Sequence, residues 1–144
     1  MTTFYFMRNQ MLERRRCRRR IREAMRRVPI PTENQAVIEK LGDRAGENPF
    51  NGHCYNATHS ALILFGWKQH FVPVRNFVPG RRGHYWLWHP RKNIHFDATG
   101  IIRSSRRLKK GRDFRLVAYP RPNSRRKKEV KEILRIVNSQ KTRS

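Results

Sequence analysis

The run "RNQMLERRRCRRRIREAMRR", Arg8 to Arg27, contains no glycine and no proline. Arginine is a good helix former, so the local preference is one continuous helix. Its charge opposes that preference, because like charges at helical spacing repel unless phosphates or other anions neutralise them. Met11, Leu12, Ile21, Ala24, Met25 and Val28 offer only a thin, broken apolar stripe. The expectation is a helix that stays solvated or lies along a polyanion. Pro29 and Pro31 in "VPIPTEN" end it in an extended linker. Cys17, in the middle of the arginines, is expected to be exposed, with a field around it that favours thiolate.

The rest of the chain does not balance this charge. Lys and Arg total 34 against 10 Asp and Glu in 144 residues, a formal net charge of +24. A field of that size calls for a polyanionic partner or counterions. Nucleic acid, DNA or RNA, is the first candidate and an anionic membrane surface the second. Four clusters would meet phosphate: Arg14, Arg15, Arg16, Arg18, Arg19 and Arg20 in the first helix; Arg81 and Arg82 in a turn; Arg106, Arg107, Lys109 and Lys110 in a basic loop; Arg125 and Arg126 before the tail. Such contacts position a protein but carry little sequence information. No apolar run approaches a membrane span, and "MTTFYFMRNQ" lacks the apolar core of a secretory signal. Two cysteines give little scope for a disulfide framework. A soluble protein in a reducing, cytoplasmic setting is expected.

A hydrophobic fraction of 37% suits one modest core. Three stretches follow: a basic helix and linker over 1–31, an α+β core over 32–120, and a basic C-terminal helix over 121–144. Thr32 and Gln35 resemble a capping box for a short helix "ENQAVIEKLG", stopped at Gly42. The loop "DRAGENPFNG" leads into "CYNATHSALILFG", read as a buried helix with Cys54 in its first turn and Gly66 at its end. The period then changes. "HFVPVRNFV", "GHYWLWHP", "KNIHFDATG" and "DFRLVAYP" are short, aromatic and β-branched, and read as an antiparallel sheet. Val130, Ile133, Leu134 and Val137 fall at helical spacing in the tail.

Chemistry concentrates in the core. Cys54 opens a helix, where the positive end of the dipole favours thiolate. His84 opens a strand on which it shares a face with Trp86 and Trp88, while Tyr85, Leu87 and His89 face the other way. Asp97 closes the next strand. Adjacent antiparallel strands can set His84 beside Asp97, and helix against sheet can bring Cys54 to His84. A histidine there takes the thiol proton, and a carboxylate holds its tautomer. Each residue also has an ordinary reading: core thiol, sheet histidine, and aspartate bonded to backbone two residues on.

The order helix-Cys, strand-His, strand-Asp resembles papain-like and transglutaminase-like cysteine enzymes. More narrowly, "GHCY", "GHYWLW" and "IHFDATG" resemble small phage-encoded proteins with a GHCY…HWW…DxT pattern. The resemblance covers roughly Asn48 to Gly100 and leaves the basic arms outside. It implies a compact α+β fold, a Cys54–His84–Asp97 triad, and a place in the host cytoplasm or the virion. In papain-like enzymes a side-chain amide six residues before the cysteine helps the backbone N–H of the cysteine bind the oxyanion. That position here is Asn48, with Asn51 as its rival.

No HExxH, no paired CxxC and no zinc-deaminase signature occurs, so neither metal nor cofactor is expected. Cys54 with two of the scattered histidines stays open as a metal site. Tyr85, Trp86, Trp88 and Phe96 suit a core face and cleft wall better than base stacking. Two function classes remain. One is a cysteine hydrolase or acyltransferase acting on a protein or peptide amide and localised by its basic arms. The other is a nucleic-acid-binding protein, virion-borne or host-modulating, that leaves the triad unused.

Overall fold

The computed structural model describes residues 2–28, 53–76, 84–100, 102 and 107–141. Among these the fold is α+β, three α-helices and a four-stranded sheet. Helix α1 is Thr2–Met25, α2 is Cys54–Ala61 and α3 is Arg125–Lys141. Strands β1 (Val72–Asn76), β2 (Tyr85–His89), β3 (Ile94–Phe96) and β4 (Phe114–Leu116) pair antiparallel throughout, in the order β3-β2-β1-β4. The expected helix over "ENQAVIEKLG", the loop after it and the "PGRRG" turn lie outside the described residues.

The arginine run is a helix, but it is not a free arm, and only the C-terminal part of the expected stripe, Ile21, Ala24, Met25 and Val28, packs into the core. Cys17, Ile21, Ala24 and Met25 are buried, at i, i+4, i+7 and i+8, one face of a 3.6-residue period. Met11 and Leu12 are exposed instead. These α1 side chains share one apolar cluster with Ala57, Ala61, Leu62 and Phe65 from the second helix region, Leu87 and Phe96 from the sheet, and Ile133 and Val137 from α3. Residues from both terminal segments thus belong to the same core as the middle of the chain. Burial of this stripe supplies the attraction that outweighs repulsion among the arginines on the other faces.

Helix α2 continues as a single π-helical turn, Leu62–Gly66. A Cβ at Gly66 would stand 3.0 Å from Leu62 Cδ1 and 3.2 Å from Leu87 Cδ1, so a glycine lets this turn sit against β2. The chain then enters β1. Pro73 is tolerated in this central strand because its donor-less nitrogen faces the end of β4: the Val117 N–H, just past Leu116, donates to the Pro73 carbonyl at 3.3 Å, and only the reciprocal bond of that last rung is missing. Alternation along β2 sends Leu87 to the helices and Trp86 to the opposite face, where it packs with Val74 and Phe114. Ser124 caps α3, its hydroxyl accepting from the Lys127 N–H at 3.2 Å. Val130, Ile133 and Val137 of α3 are buried as their spacing predicts, but Leu134 is only half-buried and Ile136 is buried instead.

Candidate active site

The register of β2 and β3 pairs Leu87 with Phe96 and Trp88 with His95. Extending it by one residue sets Asp97 opposite Trp86, so Asp97 and His84 project from the same face of neighbouring strands. Asn76 fixes the start of β2 from the other side. Its N–H donates to the His84 carbonyl at 3.0 Å, and its Oδ1 accepts from the His84 N–H at 3.0 Å. The imidazole stacks on Trp86, with ring centroids 5.9 Å apart and planes 24° from parallel. Trp86 is held in turn by donating from Nε1 to His95 Nδ1 at 3.0 Å.

His84 Nε2 meets Asp97 Oδ2 at 2.5 Å, and the side chains are 15% and 1% exposed. The carboxylate is fully engaged. Oδ1 accepts from the Thr99 N–H at 2.9 Å and the Thr99 hydroxyl at 2.7 Å; Oδ2 also accepts from the Ile102 N–H at 2.9 Å. Burial pushes the carboxyl pKa up, but the hydrogen bond and charge of His84, with the Ile102 and Thr99 donors, hold it below its usual value. For His84 burial pulls the pKa down, and hydrogen bonds to Asp97 and to Cys54, with their charges, lift it to about 9. With Nε2 committed to Asp97, Nδ1 is the ring nitrogen left for the sulfur.

Cys54 is the first residue of α2 and half-buried. The helix begins there because the His53 carbonyl accepts the Ala57 N–H at 2.8 Å. The sulfur therefore sits at the positive end of α2. The structure thus sets His84 against both Asp97 and Cys54.

Other expectations fare differently. Asn48 and Asn51, proposed for the oxyanion, and Arg81, Arg82 and Arg106 lie outside the described residues. Cys17 is buried at 5% exposure rather than exposed. Burial, then Glu13, pushes its pKa up to about 12 against the opposite pull of Arg20 and Arg18, so it is not a thiolate. The arginine cluster is not uniformly available for phosphate. Arg15, Arg16 and Arg19 are exposed, and Arg20 is partly so. Arg14 and Arg18 are half-buried, with guanidinium carbons 5.7 Å from the Phe71 ring centroid and 4.9 Å from that of Phe96. Arg107, Lys109, Lys110 and Arg125 are exposed, whereas Arg126 lies 4.4 Å over the Tyr55 ring. Trp86 and Phe96 are buried and cannot stack on a base. Trp88 spends its indole N–H on Asn93 Oδ1 at 2.8 Å.

The bond expected from Asp97 to the backbone two residues on is present, with the Thr99 N–H donating to Oδ1 at 2.9 Å. Sequence reasoning missed Asn76 and Arg18 as supports of the site. Neither had a local signal, because both act across strand or helix contacts. Among the described residues no group of three His, Cys, Asp or Glu side chains is arranged to hold a metal ion, and no helix is long and apolar enough to cross a membrane. No family model, curated protein or solved structure matches the chain.

Proposed function

We propose that this protein is a cysteine-dependent hydrolase or acyltransferase on a papain-like or transglutaminase-like scaffold, held near nucleic acid by its basic surface. The observation that carries the reading is His84 hydrogen-bonded to both a buried Asp97 and Cys54. His84, imidazolium at neutral pH because its pKa is raised to about 9, already holds the thiol proton at Nδ1, and Asp97 stabilises it from Nε2. The sulfur adds to an amide or ester carbonyl, and the Cys54 backbone N–H at the helix start binds the oxyanion. The imidazolium then protonates the leaving amine or alcohol, which leaves a thioester on Cys54. Water or an acceptor amine, deprotonated by the imidazole, attacks the thioester and restores the thiol. The phage-like GHCY…HWW…DxT words fit the same assignment of roles.

The test is the rate of Cys54 alkylation by iodoacetamide from pH 5 to 9 in wild type and in His84→Ala. The proposal expects wild type to react at least ten-fold faster near neutral pH, because the variant loses its proton acceptor. Equal rates across the range would remove catalysis and leave the second reading.

That second reading is a nucleic-acid-binding protein with the triad unused. It is favoured by one surface of α1, where Arg15, Arg19 and Arg22 line a groove of about 410 Å³ together with Arg18, which is turned inward to Asp97, and Arg26, which is paired with Glu23 at 3.4 Å. A row of guanidinium groups at helical spacing suits a phosphate backbone. Affinity for generic DNA or RNA that falls linearly in log–log form with salt supports it, and salt-independent binding opposes it.

A further inference from the structure

A second surface combines the end of the second helix region with Tyr119 and α3. Leu62, Ile63, Trp67, Tyr119, Lys127 and Val130 line a recess of about 100 Å³. Two large aromatic side chains stand at its mouth in water: Trp67 is 56% exposed and Tyr119 45%. Their rings pack on each other, with centroids 5.1 Å apart and planes tilted by 31°. The inner neighbour of Tyr119 is His59, edge-on at 6.4 Å. His59 is 2% exposed, and its Nε2 has no hydrogen-bond partner among the described residues. Burial first, then Arg126 and Lys127, pull its pKa down to about 4, so the floor behind the pair is neutral at pH 7.

The one charged side chain in the recess lining is a cation, and the nearest carboxylate in sequence, Glu129, is already bonded to Asn56 and Arg125. Lys127 is in its wall, and no carboxylate lines it. Lys68, next to Trp67 in sequence, and Arg121, two residues past Tyr119, are both exposed. An apolar protein partner would meet these cations unpaired. A polyanion with flat apolar faces meets both features together. In a duplex the base faces are hidden by stacking, whereas a single strand presents them.

We propose that Trp67 and Tyr119 form a base-stacking platform for single-stranded nucleic acid, with the flanking phosphates on Lys127, Lys68 and Arg121. This rests on the reading that the protein associates with nucleic acid. It adds strandedness and a place: the bases are read by stacking on this face, while the α1 arginines hold phosphate without regard to strandedness. It also moves stacking away from Trp86 and Phe96, which are sealed in the fold.

The experiment uses the full chain, a labelled 20-nucleotide oligo-dT and a 20-base-pair duplex, titrated by fluorescence anisotropy at several salt concentrations. Trp67→Ala and Tyr119→Ala are each expected to weaken oligo-dT binding about ten-fold. Duplex affinity and the salt slopes should not change, because no phosphate contact is removed. Lys127→Gln should flatten the oligo-dT slope by about 0.7. Both aromatic residues are at the surface, and an unchanged thermal melt shows that each variant is folded. Folded variants that bind oligo-dT like wild type, or lose duplex and oligo-dT affinity equally, overturn the platform. Self-association abolished by Trp67→Ala, with oligo-dT binding unchanged, overturns it in favour of a contact between copies of the chain. Wild type that binds neither probe at 50 mM salt overturns the platform together with the nucleic-acid reading beneath it.

Discussion

Arg18 donates from Nε to the backbone carbonyl of Asp97 at 3.2 Å, while its guanidinium lies over the Phe96 ring. The arginine-rich helix and the candidate active site are therefore one structure. Arg18 stands in the same groove as Arg15 and Arg19 but is committed inward.

That commitment separates neighbouring arginines by stability. Arg18→Met keeps the apolar stem over Phe96 and deletes the hydrogen bond, so it should cost about 1–2 kcal/mol. Arg15→Met and Arg19→Met, at exposed positions, should stay within about 0.5 kcal/mol of wild type. Urea melts of the three variants check this. Equal losses would mean that Arg18 contributes only surface charge.

Asp97→Asn should destabilise by about 3 kcal/mol at its largest, because it strips the charge partner from a mostly buried histidine. The pH dependence follows from two opposite signs. The His84 pKa rises from 6.5 to about 9, so its contribution is full below pH 6.5 and fades as pH climbs through 9. Asp97 is shifted below 3.8, so its contribution is present above that pH and fades on further acidification. The gap between wild type and Asp97→Asn should be widest between about pH 4 and 6.5 and shrink toward pH 9. Denaturant melts at pH 5, 7 and 9 measure it, and a gap that grows with pH contradicts the coupling.

The two cysteines should label in strict order. A thiol with its pKa near 12 is ionised at pH 8 to about one part in ten thousand, and Cys17 is also shielded from solvent. Mass spectrometry after brief iodoacetamide treatment should find the label on Cys54 alone. Cys17 should appear only after denaturant is added. Native labelling of Cys17 at a comparable rate would mean that α1 leaves the core.

Gly66→Ala tests the seat of the π-helical turn. The added methyl meets Leu62 Cδ1 and Leu87 Cδ1 at 3.0 and 3.2 Å, and both belong to the buried cluster. A loss of about 1–3 kcal/mol is expected, since a filled core yields by strain. A neutral outcome in a thermal melt would show that the two leucines rotate aside freely.

Local pattern carried much of this protein. Alternation along "HYWLWH" placed Trp86 and Leu87 on opposite faces, and helical spacing marked Val130, Ile133 and Val137 as core. The order Cys54, His84, Asp97 pointed to these residues because each lies at an element start or end, where short-range signals are strongest. Such signals say which residues share a face. Which face another element covers depends on contacts far apart in the chain: Arg18 and Asp97 are 79 residues apart. For that reason the sequence could not separate Arg18 from Arg15, or tell that Cys17 would be buried and Met11 left in water. Nor could it rank its tryptophans. Trp86 is enclosed by Val74 and Phe114 from neighbouring strands, whereas Trp67 and Tyr119, packed on each other, stay 56% and 45% exposed. Periodicity is a property of one element; burial belongs to the pair of elements that meet, and only the tertiary structure brings them together.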